Sequence, residues 1–368
     1  MKKRFLGVLL SVAMVAAVLA GCGSSGAKET AAPAGSETEA ASEAASGETE
    51  AAGNTGDVIT VGFSQVGAES DWRTANSESM KSTFSTENGY NLIFDDAQQK
   101  QENQIAAIRN FIQQEVDYIV LAPVTESGWD TVLQEAKDAE IPVIIVDRMV
   151  DVSDDSLYTA WVGSNFKLEG QKACEWLKQY AAAKNMSEVN IVDIQGTIGA
   201  SAQIGRTEAL NEAVEANGWN LLAQQTGEFT QAKGQEVMES MLKQYDNINV
   251  VYCENDNEAF GAIEAIKAAG KTVGPDGDIL VMSFDTTKQG ITDTLSGDII
   301  VNTECNPLHG PRVEQIIKQL QAGETPEKQA YVEEGFYAHG SDVASVSIDG
   351  TDYEVTEVTQ DVVDARAY

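Results

Sequence analysis

The sequence predicts an α/β protein made of two similar lobes, each a parallel sheet covered by helices on both faces. From residue 58 onward, short continuous apolar runs alternate with segments of helical apolar spacing, a pattern typical of buried parallel sheets. About five such units fall in each half of the chain, which favours two doubly wound lobes. A single TIM barrel is the alternative that a chain of this length also allows.

The apolar runs are the predicted strands, and helices are expected between them. The runs cover residues 59–63, 91–94, 118–121, 143–146, 160–162, 190–194, 221–225, 250–253, 279–284 and 299–303. A helix is predicted over residues 101–114, because its apolar side chains share one face. In doubly wound sheets the ligand meets the loops at the carboxyl ends of the strands, so functional residues are expected directly after the strands.

The composition excludes several classes of function. The 368 residues hold 24 Lys and Arg against 58 Asp and Glu, and the net charge of -34 repels nucleic acids and anionic lipids. A three-histidine metal site cannot form, because the histidines are His309 and His339 alone. Beyond the N-terminal region, Cys174, Cys253 and Cys305 are too widely spaced for a disulfide framework and are expected to be buried free thiols. We expect no nucleic-acid partner, no metal and no cofactor.

The N-terminus is predicted to be a targeting segment. Residues 1–4 are basic, and residues 5–19 form an apolar run that is short for a membrane span. The run ends in Leu-Ala-Gly-Cys, which resembles the bacterial lipoprotein box. Residues 1–21 are therefore expected to be removed as a signal peptide, and Cys22 is expected to carry the lipid. An uncleaved anchor helix is the alternative.

Residues 22–56 are expected to be a lipidated, disordered acidic linker. After its cysteine the stretch is rich in Ala, Glu, Gly, Ser and Thr, with no Val, Ile, Leu or aromatic residue. Such a composition buries too little apolar surface to offset the chain entropy lost on folding. The folded body is thus expected outside the cytoplasm, on the outer face of the cell membrane or in a periplasm.

Charged and amide side chains directly follow four of the predicted strands. They are Asp147 and Arg148, then Glu254, Asn255 and Asp256, then Asp285, and finally Glu304. A single residue of this kind is often a helix cap, and Asp256 is expected to cap a helix that begins near Glu258. As a set they indicate a polar binding site, because parallel strands end at the same edge of a sheet.

These residue types suit a neutral polyol. Sugar hydroxyls both donate and accept hydrogen bonds, so a site needs carboxylate acceptors, guanidinium donors and aromatic faces for the C–H side of the ring. Arg73 stands beside Trp72, Arg148 beside Asp147, and Arg206 directly after a glycine. A surface ion pair is the alternative for each arginine, and a core or rim position is the alternative for Trp72.

Two glycine-containing stretches are weaker candidates for anion binding. Residues 196–201 (GTIGAS) follow a predicted strand and open a helix, but they lack the full dinucleotide-binding pattern. Residues 270–272 (GKT) follow a helix, and they are predicted to stop it.

A family resemblance runs through residues 57–326. It rests on residues 61–67 (VGFSQVG) with Trp72 and Arg73, residues 98–105 (QQKQENQI), residues 121–124 (LAPV) with Gly128 and Trp129, residues 135–142 (EAKDAEIP), Asp147 with Arg148, residues 195–201, and residues 233–240 (KGQEVMES). These stretches resemble the sugar-binding lipoproteins of bacterial ABC importers, of the ribose-binding type (periplasmic binding protein type I). Within that family they are most similar to the galactofuranose-binding proteins.

The resemblance implies two Rossmann-like lobes joined by a three-stranded hinge, with a sugar held between them. The N-terminal lobe is expected to comprise residues 57–163 and 305–335, and the C-terminal lobe residues 164–304 and 336–368. The segment at residues 345–368 has no counterpart in the family, and the sequence assigns it no role.

The resemblance also implies the ligand-binding residues. They are Trp72, Arg73, Asp147 and Arg148 from the first lobe, Arg206, Phe229, Asn255 and Asp285 from the second, and Glu304 at a crossing. Three departures argue against ribose itself. Arg73 replaces an aromatic residue of the ribose binders, Ala122 replaces an Asn, and Glu304 replaces a Gln.

The expected function is capture of a monosaccharide, galactofuranose or a related aldose such as galactose or arabinofuranose, and its delivery to an ABC transporter permease. The protein is expected to be a monomer, to perform no reaction, and to contact the membrane only through its lipid. One alternative is a lipid-anchored glycosidase using Asp147 and Asp285, which would need an acid and a base flanking one bond. A sugar-responsive repressor would need a basic helix-turn-helix where the acidic linker lies. A sensor feeding a chemoreceptor or histidine kinase is compatible with binding.

Overall fold

The computed structural model describes residues 58–368. The first of its two lobes is built on a six-stranded parallel sheet. Its strands are β1 (Ile59–Gln65), β2 (Tyr90–Asp96), β3 (Tyr118–Leu121), β4 (Val143–Val146), β5 (Ala160–Gly163) and, much later in the chain, β11 (Gln329–Tyr331). Their order is β11-β5-β4-β3-β1-β2, and each pair is parallel. The helices of this N-terminal lobe are α1 (Asp71–Thr83), α2 (Gln101–Gln113), α3 (Asp130–Asp138) and α9 (Gly310–Gln321).

The second lobe is built on a seven-stranded sheet. Its strands are β6 (Asn190–Gln195), β7 (Asn220–Thr226), β8 (Val250–Cys253), β9 (Leu280–Asp285), β10 (Val301–Glu304), β12 (Phe336–Ala338) and β15 (Thr356–Glu357), in the order β15-β12-β10-β9-β8-β6-β7. Strand β12 runs antiparallel to β10. The helices of this C-terminal lobe are α4 (Phe166–Ala183), α5 (Ser201–Asn217), α6 (Gln231–Gln244), α7 (Asp256–Ala268), α8 (Lys288–Ser296) and α10 (Gln360–Ala365), and a hairpin of β13 (Ser345–Ile348) and β14 (Thr351–Glu354) packs on α4.

Strand β4 shows why the central strands are mostly apolar. Ile144 and Val146 belong to the core on one face of the sheet, with α1 and α9. Val143 and Ile145 belong to the core on the other face, with α2 and α3. Because successive side chains of a strand point to opposite faces, a strand covered on both sides has no position that faces water.

The predicted elements are confirmed. All of the predicted strands are present, their ends shifted by at most two residues, and the helix predicted over 101–114 ends at Gln113. The chain forms two separate sheets, so the alternative of a single TIM barrel is wrong. Strands β11 to β15 were not predicted, because they hold only two to four residues each and carry no continuous apolar run.

The chain passes between the two sheets three times. The crossings are residues 164–165 between β5 and α4, residues 305–309 between β10 and α9, and residues 332–335 between β11 and β12. All three come together beside Cys305, whose Sγ lies 3.3 Å from the Ser164 hydroxyl, and that hydroxyl donates to Glu334 of the third crossing. The crossings therefore lie side by side, as strands of one hinge would.

The predicted free cysteines are confirmed, since Cys174, Cys253 and Cys305 are buried and unpaired. None of the helices described in residues 58–368 is both long and apolar enough to cross a membrane. The predicted signal peptide, the lipidated Cys22 and the linker lie outside the described residues.

Candidate functional site

A cavity lies between the lobes, at the carboxyl ends of both sheets. It is lined by Glu69, Ser70, Trp72, Arg73, Asp147, Arg148, Phe166, Ala202, Arg206, Phe229, Asn255, Asp285 and Cys305. The lining thus combines arginines, carboxylates and an amide with three aromatic rings. A small polar ligand with a partly apolar face could form both hydrogen bonds and apolar contacts there.

The structure brings together eight of the nine side chains expected at the site. The eight are Trp72, Arg73, Asp147, Arg148, Arg206, Phe229, Asn255 and Asp285. Glu304, the ninth, does not line the cavity, contrary to the expectation from the sequence. Its carboxylate instead contacts Arg366 and Tyr368, which lie more than 60 positions further along the chain.

Glu69 and Asp147 hold two arginines on the N-terminal side of the cavity. Arg73 Nε donates to Glu69 Oε1 at 2.9 Å, and Arg73 Nη2 lies 2.7 Å from Asp147 Oδ2. Arg148 Nη2 lies 3.5 Å from the same oxygen of Glu69. Burial disfavours ionisation of Asp147, but the charges of Arg73 and Arg148 outweigh it and lower the pKa of this carboxyl. Burial and the charge of Arg73 lower the pKa of Arg148 to about 10.

A similar group lies on the C-terminal side. Arg206 donates through Nε to Glu169 Oε2 at 2.8 Å, and its Nη2 lies 3.6 Å from Asp285 Oδ1. Its third nitrogen donates to the carbonyl of Glu254. Burial raises the pKa of Asp285 well above its ordinary value, although the charge of Arg206 opposes the shift. The pKa values of the two cavity aspartates are therefore shifted in opposite directions.

Aromatic rings cover the guanidinium groups and form part of the cavity wall. The guanidinium carbon of Arg73 lies 4.7 Å from the ring of Trp72, that of Arg148 lies 5.0 Å from the ring of Phe229, and that of Arg206 lies 5.4 Å from the ring of Phe166. Such contacts restrict the movement of the arginine side chains. The N–H groups at the edge of each guanidinium group can still donate hydrogen bonds.

Asn255 begins helix α7 and supports Phe229. Its Oδ1 accepts from the backbone N–H of Glu258 at 2.8 Å, and its Nδ2 donates to the carbonyl of Phe229 at 3.1 Å. The prediction that Asp256 caps this helix is wrong. Asp256 is the first helical residue, and its buried carboxylate accepts instead from Ser283, Thr287 and Asn302.

The two lobes are closed over the cavity. The backbone N–H of Met149 donates to Ser201 Oγ at 2.8 Å, and that of Glu126 donates to the carbonyl of Gly199 at 2.9 Å. Each bond joins a loop of the N-terminal lobe to the start of α5 in the C-terminal lobe. These hydrogen bonds between the lobes therefore stabilise the closed form.

The glycine loop at residues 196–201 does not present its amides to the cavity. The N–H of Gly196 donates to Glu254 Oε2, and that of Gly199 donates to Gln203 Oε1. These donors are occupied within the protein, which argues against anion binding by this loop.

Within residues 58–368, Glu169, Cys305 and Glu334 form a group that could hold a metal ion, since their ligand atoms lie within 4.8 Å of one another. Both carboxylates already have partners. Arg206 neutralises Glu169, and Glu334 accepts from the hydroxyl of Ser164. We therefore assign no metal to this group.

Comparison with known proteins identifies the family. Residues 61–303 match the model of the periplasmic binding protein domain, and these residues include most of the cavity lining. The chain belongs to the periplasmic binding protein family. The family resemblance predicted from the sequence motifs is thereby confirmed, and the two-lobed parallel-sheet architecture is that of its type I members.

Relatives of known specificity in this family include three proteins that are similar to the chain over most of their length. The galactofuranose-binding protein YtfQ of Escherichia coli (strain K12) is 42% identical over 76% of this chain and 87% of its own. A Mycobacterium smegmatis protein solved in complex with β-D-fucofuranose has a TM-score of 0.73 at 44% identity, covering 76% and 91%. The binding component of the arabinose ABC transporter of Shewanella sp. ANA-3, bound to α- and β-L-arabinofuranose, has a TM-score of 0.71 at 42% identity, covering 76% and 92%.

The Escherichia coli and Shewanella relatives are binding proteins, and the latter is a component of an ABC transporter. They confirm the prediction that this periplasmic binding protein performs no reaction, and the glycosidase alternative is wrong.

The sequence did not point to several residues that shape the cavity. They are Glu69, Ser70, Phe166, Ala202 and Cys305, which line it, and Glu169, which holds Arg206 from behind. Glu69 stands four residues before Arg73, a helical ion-pair spacing that was a usable signal. Glu169 stands 37 residues before Arg206, and no local pattern connects them.

Proposed function

We propose that this protein is an extracytoplasmic sugar-binding component of an ABC importer, which captures one aldofuranose between its lobes. Galactofuranose, or a related furanose such as arabinofuranose, is the proposed ligand. The observation that carries the proposal is the convergence of Arg73, Asp147 and Arg148 from one lobe with Arg206 and Asp285 from the other around one cavity.

The chemistry of the lining matches a neutral polyol. The carboxyl oxygens of Asp147 and Asp285 can accept hydrogen bonds, and the arginines can donate them. The two signs of charge are close to balanced, so no ion of either charge is favoured. Trp72, Phe166 and Phe229 supply apolar surface for the C–H groups of a sugar ring.

The expected affinity follows from the number of such contacts. A dissociation constant of about 1 μM corresponds to about 8 kcal/mol. A few charge-assisted hydrogen bonds at about 1.5–3 kcal/mol each, with aromatic contact, supply this after the cost of ordering the sugar and closing the lobes.

The preference for a furanose ring is supported by the relatives. Proteins more than 40% identical to this chain have been solved with fucofuranose and arabinofuranose bound. The departures at Arg73 and Ala122 from the ribose-binding pattern agree with a different hydroxyl arrangement from that of ribose.

We further propose delivery to a membrane permease and anchoring by a lipid. The closed lobes would present the surface that the permease recognises, while acylated Cys22 would keep the protein at the membrane through the acidic linker. A Cys22→Ser variant is then expected in the soluble instead of the membrane fraction of cells. Retention of that variant on membranes would contradict the lipid anchor.

Calorimetry with free arabinose, galactose and ribose tests the ligand, and the ring form is read by NMR of the bound 1-¹³C-labelled sugar. We expect saturable binding of arabinose or galactose with furanose signals in the bound state. The furanose form is a minor species in solution, and the apparent affinity falls in proportion to its fraction. Absence of both heat and a thermal shift with all of these sugars would contradict the proposal, and pyranose signals would correct the ring form.

A further inference from the structure

Residues 345–368, the tail segment, extend from the C-terminal lobe to the lobe junction. They run through the β13–β14 hairpin, strand β15 and helix α10. Val358 and Val363 pack on Ile291 of α8 in a small buried cluster, and Lys288 Nζ donates to the carbonyl of Val363. These contacts fix the course of the tail segment before it reaches the junction. The family match ends at residue 303, before the tail segment begins.

Arg366 and Tyr368 of the tail segment both contact the carboxylate of Glu304. Arg366 Nη1 forms an ion pair with Oε1, and the Tyr368 hydroxyl donates to the same oxygen at 2.5 Å. The side chains of Arg366 and Glu304 are only 7% and 10% exposed. The guanidinium carbon of Arg366 also lies 5.0 Å from the ring of Tyr337. Because the pair is shielded from water, the attraction between its two charges is screened less than in an exposed ion pair.

Glu304 in turn adjoins both the hinge and the cavity. Its Oε2 accepts from the backbone N–H of Gly335, which lies in the third crossing. The next residue, Cys305, lines the cavity, and its carbonyl accepts the indole N–H of Trp72 at 2.6 Å. Trp72 belongs to α1 of the N-terminal lobe. A continuous set of contacts therefore leads from the tail segment through two crossings to a wall of the cavity.

We propose that Arg366 and Tyr368 are positioning residues for sugar binding, which act through Glu304 and Cys305 on Trp72. The inference rests on the proposed sugar-binding function. Loss of the Arg366 charge leaves a nearly buried carboxylate without a counter-ion, and such a group turns toward water. That movement shifts the second crossing and withdraws the carbonyl of Cys305 from Trp72, which loosens the closed cavity.

Calorimetry of Arg366→Gln and of the unmodified protein, each titrated with arabinose and with galactose, tests the proposal. We expect affinity to fall about tenfold, comparable with the loss of one charge-assisted hydrogen bond. Arg366→Lys should recover part of the loss, and Tyr368→Phe should cost less than Arg366→Gln. Arg312→Gln, at an exposed arginine of α9, is the matched control and should bind normally. A Glu304→Gln/Arg366→Gln double variant should bind no more weakly than Arg366→Gln, because no unpaired charge remains.

Hydrogen–deuterium exchange without sugar gives a second readout. In Arg366→Gln we expect faster exchange in residues 303–309 and around Trp72, with no change in the strands of the N-terminal lobe. Unchanged sugar affinity in Arg366→Gln, even with a lower melting temperature, would overturn the proposal, and so would unchanged exchange at the crossing. If the unmodified protein bound none of the sugars, the proposed function would fail, whereas faster exchange in Arg366→Gln would still show that Arg366 holds the second crossing in place.

Discussion

Arg73 Nη2 lies 2.7 Å from Asp147 Oδ2, and this ion pair joins the first helix of the N-terminal lobe to the residue that follows strand β4. Asp147 has a φ of 62°, in the left-handed region that residues with a Cβ seldom adopt. Asp285, its counterpart after β9, has a φ of 98°. Both cavity aspartates thus sit on unfavourable backbone conformations, and the surrounding ion pairs help to hold each carboxylate at the lobe interface.

Replacement of Asp147 by Asn is expected to weaken sugar binding about a hundredfold while leaving the fold intact. The change removes an ionised acceptor and leaves Arg73 and Arg148 as neighbouring buried cations. Calorimetry and circular dichroism check the two halves of this prediction. Asp151→Asn, at an exposed aspartate four positions further on, is the control. Normal affinity in Asp147→Asn would show that the carboxylate does not contact the sugar.

Glu69 is expected to act by holding two arginines in place. Its Oε1 lies 2.9 Å from Arg73 Nε and 3.5 Å from Arg148 Nη2, and its side chain is 1% exposed. Glu69→Gln should therefore weaken binding about tenfold, since the arginines lose a charged partner. Glu78→Gln, on the exposed face of α1, should have no effect. Equal affinities of the two variants would refute the positioning role of Glu69.

The hydrogen bond from Met149 to Ser201 is expected to contribute to sugar affinity without contacting the sugar. It exists only when the lobes are closed, so Ser201→Ala should weaken binding about fivefold, the effect of one neutral hydrogen bond. Small-angle scattering at sugar saturation should give the same compact particle as the unmodified protein. Ser187→Ala, at an exposed serine, is the control. An unchanged dissociation constant in Ser201→Ala would mean that this contact adds nothing to closure.

Asp193 is expected to make stability depend on pH. Burial raises the pKa of this carboxyl to about 7, from the usual value of 3.8. The folded state holds the proton more tightly than the unfolded chain, so the stabilisation is complete below about pH 4 and is lost as pH rises to about 7. Asp193→Asn should flatten the dependence of the unfolding free energy on pH over this window, measured by urea denaturation. Asp246→Asn, at an exposed aspartate, should leave that dependence unchanged, and an equally steep profile in Asp193→Asn would contradict the assignment.

The strands and the residues after them could be predicted because both depend on local sequence. Strands buried on two faces are mostly apolar, and polar residues such as Asp147 and Asp285 stand out where each apolar run stops. The strands after residue 325 could not be predicted. They are short strands, and their positions depend on pairing with β5, β10 and β12, or within the β13–β14 hairpin, more than on their own composition.

The N-cap of α7 and the partners of Glu304 could not be predicted from local sequence patterns. Asn255 and Asp256 are both good capping residues, and only the neighbouring Ser283 and Asn302 decide which of them caps α7. In the same way, nothing near Glu304 in the sequence shows that its carboxylate will contact Arg366 and Tyr368 instead of lining the cavity.

The amino-acid sequence alone determined the alternation of strand and helix, the division into two lobes, and the choice of polar residues at the strand ends. Only the tertiary structure decided which of these residues face one cavity, which glutamates hold the arginines, and where the tail segment ends. The physical reason is the separation along the chain of the residues that each interaction joins. Apolar periodicity acts over a few residues, whereas ion pairs such as those of Arg206 with Glu169 and of Arg366 with Glu304 form between groups that only folding brings together.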